Sequence, residues 1–245
     1  MARAPDPTTV PVAKKGTLPA SWDPLILPVD KPGSWTSFDV IRKLRRVSPI
    51  RKMGHAGTLD PMATGLLIVL SGKATRLMNH FLGQDKEYEG TIRLGQTTAS
   101  WDAETEVQEE QDASGITDAM IAQAIPNFTG DITQITPAYS AVKVEGERLY
   151  KKARRGDRIV LPTRSVTIHA FEVLGRQGRD VDVRITCSSG TYIRSLAHEL
   201  GQALEVGGHL SRLRRTRIGS LHVDEAWDLA SLIDQAEAAR EEQEA

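Results

Sequence analysis

Cysteine is almost missing from this chain: among 245 residues only Cys187 is one. A single thiol excludes an internal disulfide and a thiolate zinc cage, and its expected place is a small apolar position in the core. Long apolar runs are missing too. The longest, Leu66 to Leu70, falls far short of the roughly 20 residues that span a bilayer and suits a buried strand. No apolar stretch follows the early charges of the N-terminus, so no secretory signal is read there and a cytoplasmic protein is expected. No internal repeat is visible. No grouping of Cys, His and carboxylates has metal-ligand spacing, so no metal is expected. Two partial motifs also fail. Ser71-Gly72-Lys73-Ala74-Thr75 lacks the earlier glycine and the Ser or Thr of a phosphate loop. His198-Glu199 has Gln202 where a zinc protease needs its second histidine.

Charge of one sign is scarce only in sum. The formal net charge is −1. From Asp224 to Ala245 there are eight acidic residues and one basic, a net −7; the other 223 residues hold 30 basic and 24 acidic, a net +6. Basic residues cluster at 42–46, 51–52, 151–155 and 212–217. Such clusters in a near-neutral body suit a polyanion partner. Solvated helix faces would give the same runs, so charge alone leaves the partner open.

Residues 1–22 are rich in Pro, Thr, Ala and Lys without periodicity, and composition reads them as a disordered arm. Residues 25–29 read as a short strand. Thr36-Ser37-Phe38-Asp39 has the spacing of a capping box, and Val40, Leu44 and Val47 come next at helical spacing until Pro49 stops the helix. A glycine-rich polar loop runs from Arg51 to Gly65, then the buried strand 66–70 and a helix over 73–82. Alternation around Tyr88 marks a half-buried strand with Tyr88 on its less polar face. Residues 99–115 read as an acidic loop, 116–125 as a helix, and the stretch to 158 ends in a strongly basic helix. Strands are read at 166–174 and 181–188, then a helix with Ile193, Leu196, Ala197, Leu200 and Leu204 on one face, and a last strand at 217–223. Strands and helices mixed without regular βαβ alternation imply an α+β fold on a mostly antiparallel sheet.

The loop 51–65 holds His55 and Asp60 among glycines and a proline, which gives its backbone a defined shape. Loops of this kind often carry function. Taken alone, Asp60 before Pro61 is equally a turn former or helix cap, and His55 a structural hydrogen-bonding residue.

Longer motifs change that balance. Leu27-Pro28-Val29-Asp30-Lys31-Pro32-Gly33, the run from Gly54 through His55, Asp60 and Pro61 to Leu67, Asp85-Lys86-Glu87-Tyr88, residues 137–143 and Ser189-Gly190-Thr191-Tyr192-Ile193-Arg194 occur in the order found in one family. Over residues 25–220 the chain closely resembles the bacterial tRNA pseudouridine-55 synthases of the TruB family. At Ala56 many members carry Thr, a change the flanking glycines tolerate.

The resemblance implies a role for each matching residue. Asp60 is the catalytic aspartate. Tyr88 stacks on the flipped uracil and is a candidate base at C5. Arg194 pairs with the aspartate. Tyr192 and Leu213 line the base pocket, His55 helps extrude the nucleotide, and Lys31 with Pro32 supports the site. The implied fold is a catalytic domain over residues 23–223 on a mixed, mainly antiparallel sheet flanked by helices, with an RNA-gripping insertion at 130–158. Residues 224–245 form an acidic helix in place of a full C-terminal RNA-binding domain. That helix would repel phosphate and is expected to pack on the protein. The implied reaction isomerises uridine 55 in the T-loop of tRNA, with help to tRNA folding as an added role. The partner is the T-arm stem-loop, and the protein is expected to be a monomer with no membrane association.

The chemistry agrees with these roles. The glycosidic bond breaks, the base turns and the bond re-forms through carbon, so no redox change or external group is needed and no cofactor is expected. An ionised carboxylate can attack as a nucleophile or stabilise a developing sugar cation. A stacked uracil is out of reach until it is flipped. The sequence leaves two rivals: a guide-RNA-dependent synthase acting on another RNA, and a non-catalytic RNA-folding protein.

Overall fold

The computed structural model describes residues 4–144, 146–157 and 159–244. Residues 1–3 of the N-terminal arm, 145 and 158 of the expected insertion, and 245 of the acidic tail lie outside them. In chain order the strands are β1 (Leu25–Lys31), β2 (Met53–Ala56), β3 (Thr64–Ser71), β4 (Lys86–Leu94), β5 (Gln96–Thr98), β6 (Val107–Glu110), β7 (Gly130–Ile135), β8 (Lys143–Val144), β9 (Glu147–Arg148), β10 (Thr163–Gln177), β11 (Asp180–Cys187), β12 (Gly208–Ile218), β13 (Leu221–His222) and β14 (Trp227–Asp228). The helices are α1 (Ser37–Val47), α2 (Met78–Gly83), α3 (Asp118–Ala124), α4 (Leu149–Arg155), α5 (Ile193–Ala203) and α6 (Leu229–Glu244). This is an α+β fold. The chain divides into two compact units, residues 1–88 with 214–245, and residues 89–213; it crosses between them within β4 and β12.

In the first unit the strand order is β14-β1-β3-β12, with β2 also paired to β3 and β13 to β12. The β1–β3 and β2–β3 pairs are antiparallel, while β3–β12 and β1–β14 are parallel. The apolar run 66–70 is continuous because both faces of β3 are covered. Leu67 and Val69 join a core with α1 and α6, and Leu66, Ile68 and Leu70 join another with Leu77 and Phe81. Helix α1 starts at the expected capping box: Asp39 N–H donates to Thr36 Oγ1 at 3.1 Å, and Thr36 N–H to the Asp39 carboxylate at 3.0 Å. Its buried face is Val40, Ile41, Leu44 and Val47.

The acidic helix α6 packs on the protein, as expected. Leu229, Leu232, Ile233 and Ala236 sit in the core shared with α1, and Glu237 pairs with Lys43 at 3.7 Å. The N-terminal arm differs from the disordered reading. Ala13 N–H donates to Ile26 O at 2.8 Å, Ile26 N–H donates to Pro11 O at 2.9 Å, and Val10 and Ala13 are buried. Leu18 and Trp22 also pack against the core, and the part of β1 that β14 leaves unpaired supplies hydrogen bonds that composition cannot show. The loop read over 51–65 likewise begins with β2, pairing Met53 with Ser71 and Ala56 with Ile68.

In the second unit the order is β12-β4-β11-β10-β7, and β11–β10 and β10–β7 are antiparallel. Val181, Val183, Ile185 and Cys187 are buried along β11, so the lone thiol is a core residue. Helix α5 buries Ile193, Leu196, Ala197 and Leu200. Two segments depart from expectation. The acidic loop 99–115 contains half of the β5–β6 hairpin and two buried polar residues, Ser100 and Asp102, next to the buried Thr98. Residues 130–135 of the expected insertion form β7, bonded to β10 from Gly130↔Ile168 to Ile135↔Thr163. Further along the insertion come the small β8–β9 hairpin and the basic helix α4.

One glycine is fixed by a close approach. Gly65 has φ +100°, and a Cβ there would lie 2.3 Å from Arg215 O and 2.8 Å from Arg215 N. Gly65→Ala is therefore expected to cost about 2–3 kcal/mol through backbone strain and overpacking. Thermal unfolding should show a fall of roughly 5–10 °C; an unchanged midpoint would contradict the close β3–β12 approach.

Candidate active site

In the first unit the turn that carries Asp60 is gripped from three sides. Strand β2 ends at Ala56, and Gly57 turns the chain with φ +94°. Leu59 is buried, and the Ser37 hydroxyl serves both its backbone groups: Leu59 N–H donates to Ser37 Oγ at 2.9 Å, and Ser37 Oγ donates to Leu59 O at 3.2 Å. The Lys31 ammonium, 0% exposed, donates to Pro32 O at 2.8 Å, Trp35 O at 2.6 Å and Pro61 O at 3.3 Å. The Arg215 guanidinium, 1% exposed, donates from Nε to Leu66 O at 2.7 Å and from Nη2 to Gly57 O at 3.0 Å. Ala63 N–H closes the turn on Asp60 O at 3.1 Å, and Ser34 N–H reaches Pro61 O at 2.8 Å. Asp60 itself is half-buried, between backbone that is held at 57, 59, 61 and 66.

Lys31 thus fixes the turn after Asp60. His55 lies on β2 opposite Val69. Burial pushes its imidazole pKa down, and the nearby Arg215 charge adds to the effect, so the neutral ring is favoured. Its Nδ1 is buried with no hydrogen-bond partner among the described residues. Tyr88 is buried on β4.

The second unit contains Tyr192, Arg194 and Leu213. The turn before α5 is pinned by β7 and β10. Tyr192 N–H donates to Gln134 Oε1 at 2.8 Å, and Gln134 Nε2 donates back to Tyr192 O at 2.9 Å. Arg164 donates to Gly190 O at 2.6 Å, and its guanidinium lies 4.9 Å from the centre of the Tyr192 ring. Arg194, with 4% exposure, donates to Ser100 O and Tyr139 O at 3.1 Å each, and its Nη1 lies 3.1 Å from Asp102 Oδ2. Asp102 is 0% exposed. Its other oxygen accepts from Ser100 Oγ and from Glu104 N–H. Leu213 is half-buried on β12, with Cδ1 3.6 Å from where a Cβ on Gly90 would sit.

Sequence reasoning missed Asp102, Ser37, Gln134 and Arg215. Asp102 was hidden in a segment that reads as an acidic surface loop, and Ser37 reads only as part of a capping box. Arg215 stands in a basic cluster suited to RNA, yet it bonds carbonyls inside the fold. In the same cluster Arg214 forms two bonds to the Asp30 carboxylate, at 3.0 and 2.6 Å, and Arg212 is exposed. In the basic helix α4, Arg155 is tied to Glu147 and Asp157. Among the described residues no cluster of three His, Cys, Asp or Glu is grouped as metal ligands would be. No helix of the described residues is long and apolar enough to cross a membrane.

Comparison with known proteins bears on these two constellations. Residues 45–193 match the family model of the TruB family pseudouridylate synthase N-terminal domain, and residues 194–245 that of the tRNA pseudouridylate synthase B C-terminal domain. The chain is 50% identical over 214 residues to tRNA pseudouridine synthase B of Leifsonia xyli subsp. xyli, covering 84% of this chain and 71% of that protein. It is 51% identical over 212 residues to the protein of that name from Thermobifida fusca, covering 83% and 72%. Among solved structures it resembles a chain of a Cbf5-Nop10-Gar1 complex, with TM-score 0.67 and 35% identity over 85% of this chain and 53% of that one. A chain from an H/ACA RNP bound to a substrate RNA containing 2′-deoxyuridine gives TM-score 0.67 and 32% identity, over 89% and 55%. The chain spans about half the length of those two.

The histidines give a pH prediction. His55, His198 and His209 all have imidazole pKa values lowered from the ordinary 6.5, chiefly by burial. Below 6.5 the unfolded chain takes up these protons first, so stability is full above that pH and is lost as pH falls through the lowered folded values. Glu199, whose carboxyl is raised by burial, works in the opposite direction nearer the carboxylate range. Melting temperature should be flat above about pH 7 and fall towards about pH 5, less so in His55→Asn. A flat profile in the wild-type protein would contradict the buried neutral rings.

Proposed function

The chain belongs to the TruB family of pseudouridylate synthases, and from that premise we propose that it isomerises uridine to pseudouridine in tRNA, at position 55 of the T-loop, with Asp60 as the catalytic carboxylate. The observation that carries the assignment is the turn around Asp60. Its neighbours are anchored by Lys31, Ser37 and Arg215, so the carboxylate stands on rigid backbone and loses little freedom on meeting substrate. A loop cap or a plain turn needs no such anchoring by two buried cations.

Each step has a residue suited to it. Flipping the uridine costs a few kcal/mol. Stacking on an aromatic face returns about 1–3 kcal/mol, a role suited to Tyr88 or Tyr192. His55, kept neutral by burial, can enter the gap left by the base without carrying a charge into the stack. The C1′–N1 bond breaks, N1 ends up protonated, the base turns, and C1′ bonds to C5, which gives up its proton to a base such as Tyr88. Asp60 acts as nucleophile or as counter-charge to the sugar cation. Arg194, already oriented by Asp102 and two carbonyls, has the role of charge partner to the Asp60 carboxylate. The identity near 50% to proteins named tRNA pseudouridine synthase B supports tRNA over a guide-dependent target. An added tRNA-folding role needs binding without turnover and would survive loss of Asp60.

Asp60→Ala is expected to lower single-turnover isomerisation of a T-arm stem-loop by at least about a thousandfold while its Kd changes little. Normal turnover in that variant sinks the assignment. Pseudouridine mapping on total tRNA should place the product at position 55; another position would leave the isomerase and reject the site. Tyr88→Phe keeps the stacking face and is expected to bind normally but lose turnover; wild-type rates would remove Tyr88 as the base.

A further inference from the structure

His198, which lacks the second histidine of a zinc motif, has a definite partner of another kind. Its ring lies flat on the indole of Trp101, with centroids 4.3 Å apart and planes 5° from parallel. Both residues are next to the arginine site. His198 comes four residues after Arg194 on α5, so the two share one helix face. Trp101 stands between Ser100 and Asp102, the two residues that meet the Arg194 guanidinium through a carbonyl and a carboxylate.

Two local features are unfavourable by themselves. Trp101 has φ +62°, a left-handed conformation that a bulky residue adopts only at a cost of about 1–3 kcal/mol. His198 Nδ1 is buried with no hydrogen-bond partner among the described residues, which adds a desolvation cost. Surrounding contacts hold the arrangement. Trp101 N–H donates to Thr98 O at 3.3 Å, Leu210 N–H donates to Trp101 O at 3.0 Å, and Thr98 Oγ1 donates to Asp102 O at 2.7 Å. The left-handed residue has a geometric consequence. An extended chain sends alternate residues to one face but aims a carbonyl and a side chain two residues apart differently. The tight turn at Trp101 instead lets Ser100 O and the Asp102 carboxylate converge on one guanidinium.

We propose that the Trp101–His198 stack is a positioning device for Arg194: it clamps the strained 100–102 turn so that Ser100 O and Asp102 hold the guanidinium in its working orientation. Neither ring is a catalytic residue, since each acts through Arg194. The inference rests on the reading that Arg194 serves the Asp60 carboxylate. Without the stack the left-handed turn relaxes, and a guanidinium displaced by about 1 Å is enough to cost up to a hundredfold in rate.

The test compares paired variants by single-turnover isomerisation of a T-arm stem-loop, with Kd and melting temperature measured alongside. Trp101→Gly removes the ring and leaves the backbone at 101 free to abandon the left-handed turn, and His198→Leu keeps bulk but removes the stack. Both are expected to lower the rate at least tenfold with Kd within about twofold. Trp101→Phe and His198→Phe retain a stack and should stay within about threefold of wild type. A packing role alone would lower the melting temperature of Trp101→Gly and His198→Leu without slowing the folded enzyme, and the Phe variants would then restore the melting temperature alone. Wild-type rates in Trp101→Gly and His198→Leu overturn the proposal; if Trp101→Gly does not fold, the His198→Leu and His198→Phe pair decides it. Arg194→Lys separates the two readings. Should it turn over normally, the role of Arg194 falls; should it be inactive while the stack variants are not, only the positioning role falls.

Discussion

The buried guanidinium of Arg215 is the constraint around which the Asp60 turn is built. A buried cation is costly unless its donors are met. Here backbone carbonyls on two sides of the turn, Gly57 O and Leu66 O, accept from Nη2 and Nε. The same residue runs beside Gly65 in the parallel β3–β12 pair, so close that no side chain fits there. Fixed at both ends by one side chain, the segment between has little freedom left. Lys31 adds its ammonium to Pro61 O, and Ser37 takes both backbone groups of Leu59. The aspartate gains a defined place through the backbone of its neighbours.

The second unit uses the same chemistry to a different end. Arg194 is buried and also bonds two carbonyls, but it has a carboxylate at hand in Asp102. Removing one partner of such a pair leaves the other charge buried and unmatched, which costs far more than the pair contributes. Asp102 and Arg194 therefore depend on each other, and both depend on the turn through Trp101. Gln134 performs the matching task on the other side, fixing the backbone of Tyr192 one step before α5. The helix start that carries Tyr192 and Arg194 is thus set by strands from elsewhere in the chain.

Charge is divided in the same way between fold and surface. Basic residues that look alike in the sequence separate into buried Arg215, paired Arg214 and exposed Arg212 within four residues. The acidic tail is neutralised in part by Lys43 and turned towards the core through its apolar residues. Only exposed cations remain to meet a phosphate backbone, and they are fewer than composition suggests.

Local pattern in the sequence determined the capping box at Thr36, the two-faced apolar strand 66–70, the core position of Cys187 and the motif around Asp60, because each depends on neighbours in the chain or on periodicity. The family motifs also named Asp60 and Tyr192, which stand on the two anchored turns. Tertiary structure alone decided which charges are buried. Arg215 and Asp102 look like surface residues in the sequence, and Ser37 looks like an ordinary first-turn residue. Their roles arise from partners about 22 to 158 residues away, and no periodicity reports such partners. The N-terminal arm makes the same point: its order comes from the start of β1, which β14 leaves unpaired, and not from its own composition. A side chain's chemistry is written locally, but whether it faces water or a carbonyl is settled only when distant segments meet.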